Sequence, residues 1–183
     1  MLDVLPISLP VESTCSSPKN ASPISNLPTA ANTDMKIYLA QHGLALNKAL
    51  DPLRPLSPEG IEQSSLMAEW LRQQKILIRN ICHSGKLRAE QTADIFSRTL
   101  KTEDCKAISG LDPTDDPAII ADNLLEDTLY VGHLPHLARL TDHLIGCRRK
   151  SPVVVFRNSA VICLTRSNES GFQIDWFQKP ILQ

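Results

Sequence analysis

From Met35 onward, apolar and polar positions follow two alternating rhythms. The run "KIYLAQ" (36–41) has the length and apolar continuity of a buried strand. "SPEGIEQSSLMAEWLRQQ" (57–74) then spaces Ile61, Ala68 and Leu71 on one helical face, with Ser57 as N-cap and Pro58 at the first helical position. The pair repeats in "IRNICHS" (78–84) and "KLRAEQTADIFSRTL" (86–100), where Ala89, Ala93 and Phe96 share a face. "CKAISGL" (105–111) predicts a third strand, "DDPAIIADNLL" (115–125) a helix opened by acidic residues, and "DTLYVGH" (127–133) a fourth strand. "PHLARLTDHLIG" (135–146) carries Leu137, Leu140 and Leu144 at helical spacing. Three last strands are expected at "PVVVF" (152–156), "SAVICLTR" (159–166) and "FQIDWF" (172–177), with turn signals at Arg157–Asn158 and Asn168–Gly171. The alternation predicts an α/β fold: a three-layer α/β/α sandwich, mostly parallel, with antiparallel strands near the end. Trp70 and Trp176 are assigned to its core.

Residues 1–34 break both rhythms, with five prolines, six serines, no aromatic and no glycine. Such a composition cannot bury enough apolar surface to offset chain entropy, so a disordered Ser/Pro-rich tail is expected there and a folded domain over 35–183. Asp3, Pro6 and Pro10 spoil a signal peptide, and the segment lacks the arginines of a transit peptide. Met35, directly before the first strand, offers an alternative start of translation.

A net charge of −1 gives no electrostatic reason to expect nucleic acid or an acidic membrane as partner. No run approaches the roughly 18 apolar residues of a spanning helix. The five cysteines are odd in number, scattered and without a C-x-x-C, which argues against a disulfide framework or zinc site and for a reducing, cytoplasmic setting.

In open α/β sheets the ligand crevice lies beyond the carboxyl ends of the strands. The first strand ends there on Gln41-His42-Gly43, the second on Cys82-His83-Ser84 with Arg88 in the helix behind it, and the fourth on Gly132-His133. Two or three imidazoles and a guanidinium on one rim suit phosphoryl transfer through a covalent intermediate. An imidazole attacks phosphorus only with one ring nitrogen's lone pair free and the other nitrogen held as a donor, commonly to a backbone carbonyl, which Gly43 would let come close. The equatorial oxygens of the transferring group are best met by a guanidinium, a second imidazole and helix N-terminal N–H groups, and Arg88 and His133 fill those places.

"YLAQHGLA", "RPLSPEG", "HSGKLRAEQTADI" and "YVGHLPHLARL", in this order, resemble the histidine phosphatase superfamily, most closely its small SixA-type phosphohistidine phosphatases. The resemblance spans roughly Met35 to the C-terminus. It implies a phosphoglycerate-mutase-like sandwich in its minimal form, without a helical cap, and a metal-independent phosphatase needing no cofactor. By the same likeness the nucleophile is His42, with Arg88 and His133 completing the catalytic set. The family's first motif is Arg-His-Gly; this chain has Gln41 in place of the arginine, a neutral amide that can still donate. Arg54, in the "RPLSPEG" segment after the first strand, is a candidate to compensate, and Ser84 and Gly43 join the phosphate-binding set.

Phosphate esters leave poorly without a nearby acid, and Asp112, Asp115 and Asp116 are the candidates in "GLDPTDDP". None stands out; Asp115 and Asp116 read better as a turn and a helix-start cluster. A phosphohistidine substrate needs less help, since its imidazole departs as a neutral ring. His133 and His136 lie three apart without an obvious third metal ligand, and no metal is expected. His136 and His143 read as helix-surface or packing residues, and His83 as a structural hydrogen-bond former or a rim residue. The expected function is dephosphorylation of a phosphohistidine on a His-containing phosphotransfer protein. The alternatives are a non-catalytic phosphate- or phosphoprotein-binding module and a phosphatase of small phosphorylated metabolites.

Overall fold

The computed structural model describes residues 34–166 and 171–181. The expected tail therefore lies, apart from Asp34, outside the described residues, as does most of the turn at 168–171. The described chain runs β1 (Met35–Gln41), α1 (Pro58–Gln73), β2 (Asn80–His83), α2 (Leu87–Leu100), β3 (Asp104–Ala107), α3 (Ala118–Ala121), β4 (Thr128–Gly132), α4 (His136–Leu144), β5 (Val161–Arg166) and β6 (Phe172–Gln178).

The strands form one sheet in the order β3-β2-β4-β1-β5-β6. β1–β4, β2–β4 and β2–β3 pair in parallel, while β1–β5 and β5–β6 are antiparallel. Each central strand is buried on both faces, so successive residues feed two separate cores. Tyr38 and Ala40 join Leu129, Val131, Val161 and Cys163 beneath α1 and α2. Ile37 and Leu39 join Tyr130, Ile162 and Leu164 beneath α3 and α4. This is the expected three-layer sandwich. Among the described residues no helix is long and apolar enough to cross a membrane.

α1 starts as its sequence dictates. Ser57 has an extended backbone, its Oγ accepts the Gly60 N–H at 3.0 Å, and Pro58 follows. Its buried face differs from the expected one. Gly60, Ser64, Met67, Ala68 and Leu71 face inward, whereas Ile61 is 49% exposed. The face is fixed by a backbone contact: a Cβ on Gly60 would lie 2.0 Å from the Leu44 carbonyl oxygen, so only glycine lets α1 close onto the end of β1.

Two further expectations are corrected. "PVVVF" is not a strand: Val154 and Phe156 bury into the core while Val153 and Val155 point outward, but the segment pairs with no strand. Alternation reports one buried face, and here that face lies over the sheet rather than in its ladder, because β1 already occupies the other edge of β5 from β6. Trp70 and Trp176 only flank the core, meeting edge to face with ring centroids 5.4 Å apart. Of the two readings of His136, surface or packing, the structure has the second: it is completely buried, with neither ring nitrogen hydrogen-bonded.

Candidate active site

Strand order assembles the site. β4 lies between β1 and β2, with Gln41 opposite Gly132 and His83 opposite Val131. One step beyond the ladder, the His42 N–H bonds the Gly132 carbonyl at 3.2 Å, which sets His42 beside His133. Their rings are 4.8 Å apart, centre to centre. On the other side of His133, its Nε2 is 2.6 Å from Ser84 Oγ. Arg88, in the first turn of α2, donates from Nε to His42 Nε2 at 3.2 Å. His42, Ser84, Arg88 and His133 therefore meet at the carboxyl ends of three adjacent strands.

Hydrogen bonding decides which nitrogen of His42 carries the proton. Nδ1 sits 2.7 Å from the Gly43 carbonyl, which can only accept, so Nδ1 carries the proton. Nε2 then presents its lone pair, consistent with the guanidinium N–H that points at it. Gly43 itself has no room for a side chain: a Cβ would lie 2.6 Å from Ser64 Oγ and 2.8 Å from the Gly60 carbonyl.

Burial pushes the His42 pKa down to about 4, with the Arg88 and Arg54 charges adding to the effect and the Gly43 carbonyl opposing it. Burial likewise holds His133 at about 3, helped by His42, Arg88 and Lys86. Both rings are neutral in the folded protein near pH 7. In the unfolded chain each protonates near 6.5. Below that value the unfolded state takes up protons that the folded state refuses, so stability present above pH 6.5 is lost on acidification until the folded groups titrate near 4 and 3. Each such histidine contributes about 1.4 kcal/mol per pH unit. Urea unfolding of the protein and of His42→Asn between pH 6 and 4.5 should show that much less slope in the variant. Equal slopes would contradict a neutral, buried His42.

Arg54 lies in a loop that leaves and rejoins the β1 end through the Ala45–Leu56 bridge. Its backbone is left-handed, φ 54°, and its Nε donates to the Leu46 carbonyl at 3.2 Å. A non-glycine residue in this region costs about 1–2 kcal/mol, and here the result turns Arg54 inward enough for its charge to bear on both His42 and Arg88. Gln41 occupies the end of β1, and its Oε1 is buried without a hydrogen-bond partner.

Asp115 and Asp116 are engaged elsewhere, whereas Asp112 lies close enough for its charge to bear on Arg88, and its Oδ1 is buried without a hydrogen-bond partner. Asp112 pairs with Lys86 at 3.0 Å, Asp115 accepts the Asp112 N–H, and Asp116 accepts the Ala118 N–H. His83 turns away from the rim toward α2, and its Nδ1 accepts the Gly85 N–H at 3.2 Å. Among the described residues no group of three or more His, Cys, Asp or Glu side chains is disposed to hold a metal.

Sequence reasoning missed several residues that shape the site. Asn158 Nδ2 donates to the His42 carbonyl at 3.1 Å. Ser159, with φ 57°, directs its N–H toward the Gln41 and His42 carbonyls. Gln91 Oε1 accepts the Leu56 N–H at 2.7 Å, anchoring the loop that bears Arg54. The turn signal at Arg157–Asn158 was the one sequence hint that this segment approaches the strand ends.

No family model matches the chain. A search of curated proteins finds phosphohistidine phosphatase SixA of Escherichia coli (strain K12), 30% identical over 155 residues that cover 80% of this chain and 94% of that protein. Among solved structures, the protein histidine phosphatase SixA complexed with tungstate superposes with a TM-score of 0.71 at 30% identity, over 80% of this chain and 97% of the other. Phosphoserine phosphatase from Entamoeba histolytica shares the fold, with a TM-score of 0.61 at 16% identity over 79% of this chain and 96% of its own.

Proposed function

Because the chain belongs to the SixA family of phosphohistidine phosphatases, within the histidine phosphatase superfamily, we propose that it removes the phosphoryl group from a phosphohistidine on a His-containing phosphotransfer protein, through a covalent intermediate on His42. The observation that carries this reading is the tautomer of His42, with Nδ1–H tied to the Gly43 carbonyl and the Nε2 lone pair facing Arg88.

In the first step His42 Nε2 attacks phosphorus in line and forms an N–P bond as the bond to the leaving imidazole breaks. That imidazole, protonated on its distal nitrogen, departs neutral, so the step needs no carboxylic acid beside the leaving group. Arg88 moves its donors from His42 to the equatorial oxygens, and His133 with the Ser84 hydroxyl meets them from the other side. Water then attacks phosphorus, releasing phosphate and neutral His42. The four described cysteines are free thiols, which supports a reducing, cytoplasmic setting for this chemistry.

A phosphorylated phosphotransfer domain and para-nitrophenyl phosphate, offered in parallel, test the substrate. Faster phosphate release from the protein is expected. Turnover of the ester alone would favour a small-metabolite phosphatase, and turnover of neither, with phosphate still bound, would leave a binding module.

Oxyanion affinity tests how the missing motif arginine is handled. A charged hydrogen bond contributes about 1.5–3 kcal/mol against about 0.5–1.5 for a neutral one. Gln41→Arg should therefore tighten tungstate binding by up to about tenfold, and Arg54→Ala should weaken it by about tenfold or more. Unchanged binding in Arg54→Ala, measured by titration calorimetry, would remove Arg54 from the site.

A further inference from the structure

The second turn of α2 carries a buried side chain whose hydroxyl joins the backbones at both principal groups, Arg88 and the His42–Gly43 peptide. Thr92 is fully buried, four residues beyond Arg88. Its Oγ1 donates to the Arg88 carbonyl at 2.7 Å. That bond alone carries no message, since threonines within helices commonly bond the carbonyl four residues back. The second bond is different: the same Oγ1 accepts the Gly43 N–H at 2.9 Å, across 49 residues of sequence.

The Gly43 N–H belongs to the His42–Gly43 peptide. On its opposite side, the carbonyl of that peptide accepts from Asn158 Nδ2 at 3.1 Å. The peptide is therefore held on both edges, and its plane sets the direction of the next one, whose Gly43 carbonyl holds His42 Nδ1 at 2.7 Å. Glycine at 43 is required by close contact with α1, but it also gives the backbone here the wide conformational freedom of a residue without a Cβ.

We propose that Thr92 is a positioning residue for the nucleophile. Its hydroxyl fixes the orientation of the His42–Gly43 peptide relative to the Arg88 backbone, and thereby the aim of the His42 Nε2 lone pair toward the anion that Arg88 binds. The catalytic part of this inference rests on the function proposed above; the structural part does not.

Thr92→Val keeps the shape and removes the hydroxyl, and Thr92→Ser restores it. In Thr92→Val, kcat on the phosphohistidine protein should fall about 10- to 100-fold with KM little changed, and Thr92→Ser should recover most of the loss. Side-chain ¹⁵N spectra of His42 should show the fixed Nδ1–H tautomer in the wild type and in Thr92→Ser, and a mixture of tautomers in Thr92→Val. A wild-type kcat and spectrum in Thr92→Val would overturn the proposal. So would a loss of activity that Thr92→Ser shares in full. Should the valine variant not fold, the wild-type Gly43 amide still decides, because a bonded, buried N–H must exchange slowly and a rapidly exchanging one would break the link. An inactive wild type with the fixed tautomer would refute the phosphatase reading and leave the positioning intact.

Discussion

Replacing His42 with alanine is expected to lower phosphoryl turnover by about 10⁴-fold or more and to eliminate the acid-labile phosphoenzyme. The expectation is this large because neither the second imidazole nor the arginines can take over the attack. His133 is the nearest imidazole, but it is 1% exposed, its Nε2 is engaged with Ser84, and its Nδ1 is buried without a partner. Arg88 and Arg54 are cations and cannot act as nucleophiles. Tungstate binding should persist in the variant, since the guanidinium and the second imidazole remain. Rapid quench with a ³²P-labelled phosphohistidine substrate measures the intermediate directly. A labelled phosphoenzyme surviving in His42→Ala would place the nucleophile elsewhere and end the proposed mechanism.

Gly60→Ala is expected to destabilise the protein by about 3 kcal/mol, although alanine is intrinsically the better helix residue by about 1 kcal/mol. The sign follows from where the new methyl would fall. It would meet the Leu44 oxygen at 2.0 Å, the Leu44 nitrogen at 2.8 Å and the Leu44 carbonyl carbon at 2.9 Å, all of them main chain and unable to rotate aside. The same Leu44 carbonyl accepts the Ser57 N–H at 2.8 Å and the Ser57 hydroxyl at 3.1 Å, so displacing it also disturbs the start of α1. Leu44 is two residues from His42, and the shift should cost activity as well as stability. Denaturant unfolding compared with Ser65→Ala, on the exposed face of the same helix, isolates the effect. A Gly60→Ala protein as stable as the wild type would mean that α1 does not press on the β1 end as described.

Both expectations concern residues that differ in how readily the sequence reveals them. His42 stood out because a buried run ended on polar groups, and Arg88 and His133 fell at equivalent ends of later elements. Gly60 did not stand out: within a helical pattern it reads only as a weak helix former, and its close approach to Leu44 exists only once α1 folds back over β1. Thr92 was hidden for a related reason, since its helical spacing explains one of its hydrogen bonds and nothing local announces the other. "PVVVF" misled because alternation records burial on one side but not what covers that side.

The sequence by itself determined the succession of strands and helices apart from "PVVVF", the two-sided burial of the central strands and the chemical types at their carboxyl ends, because periodicity and residue chemistry are local properties of the chain. Only the tertiary structure decided that β4 inserts between β1 and β2, and with it that His133 stands between His42 and Ser84. Strand order is settled by which apolar faces pack together across the described domain, through contacts between residues some 50 to 130 positions apart. The tautomer of His42 follows from that packing, since the Gly43 carbonyl that fixes it is aimed by the preceding His42–Gly43 peptide, which groups from α2 and from the segment before β5 hold on both edges.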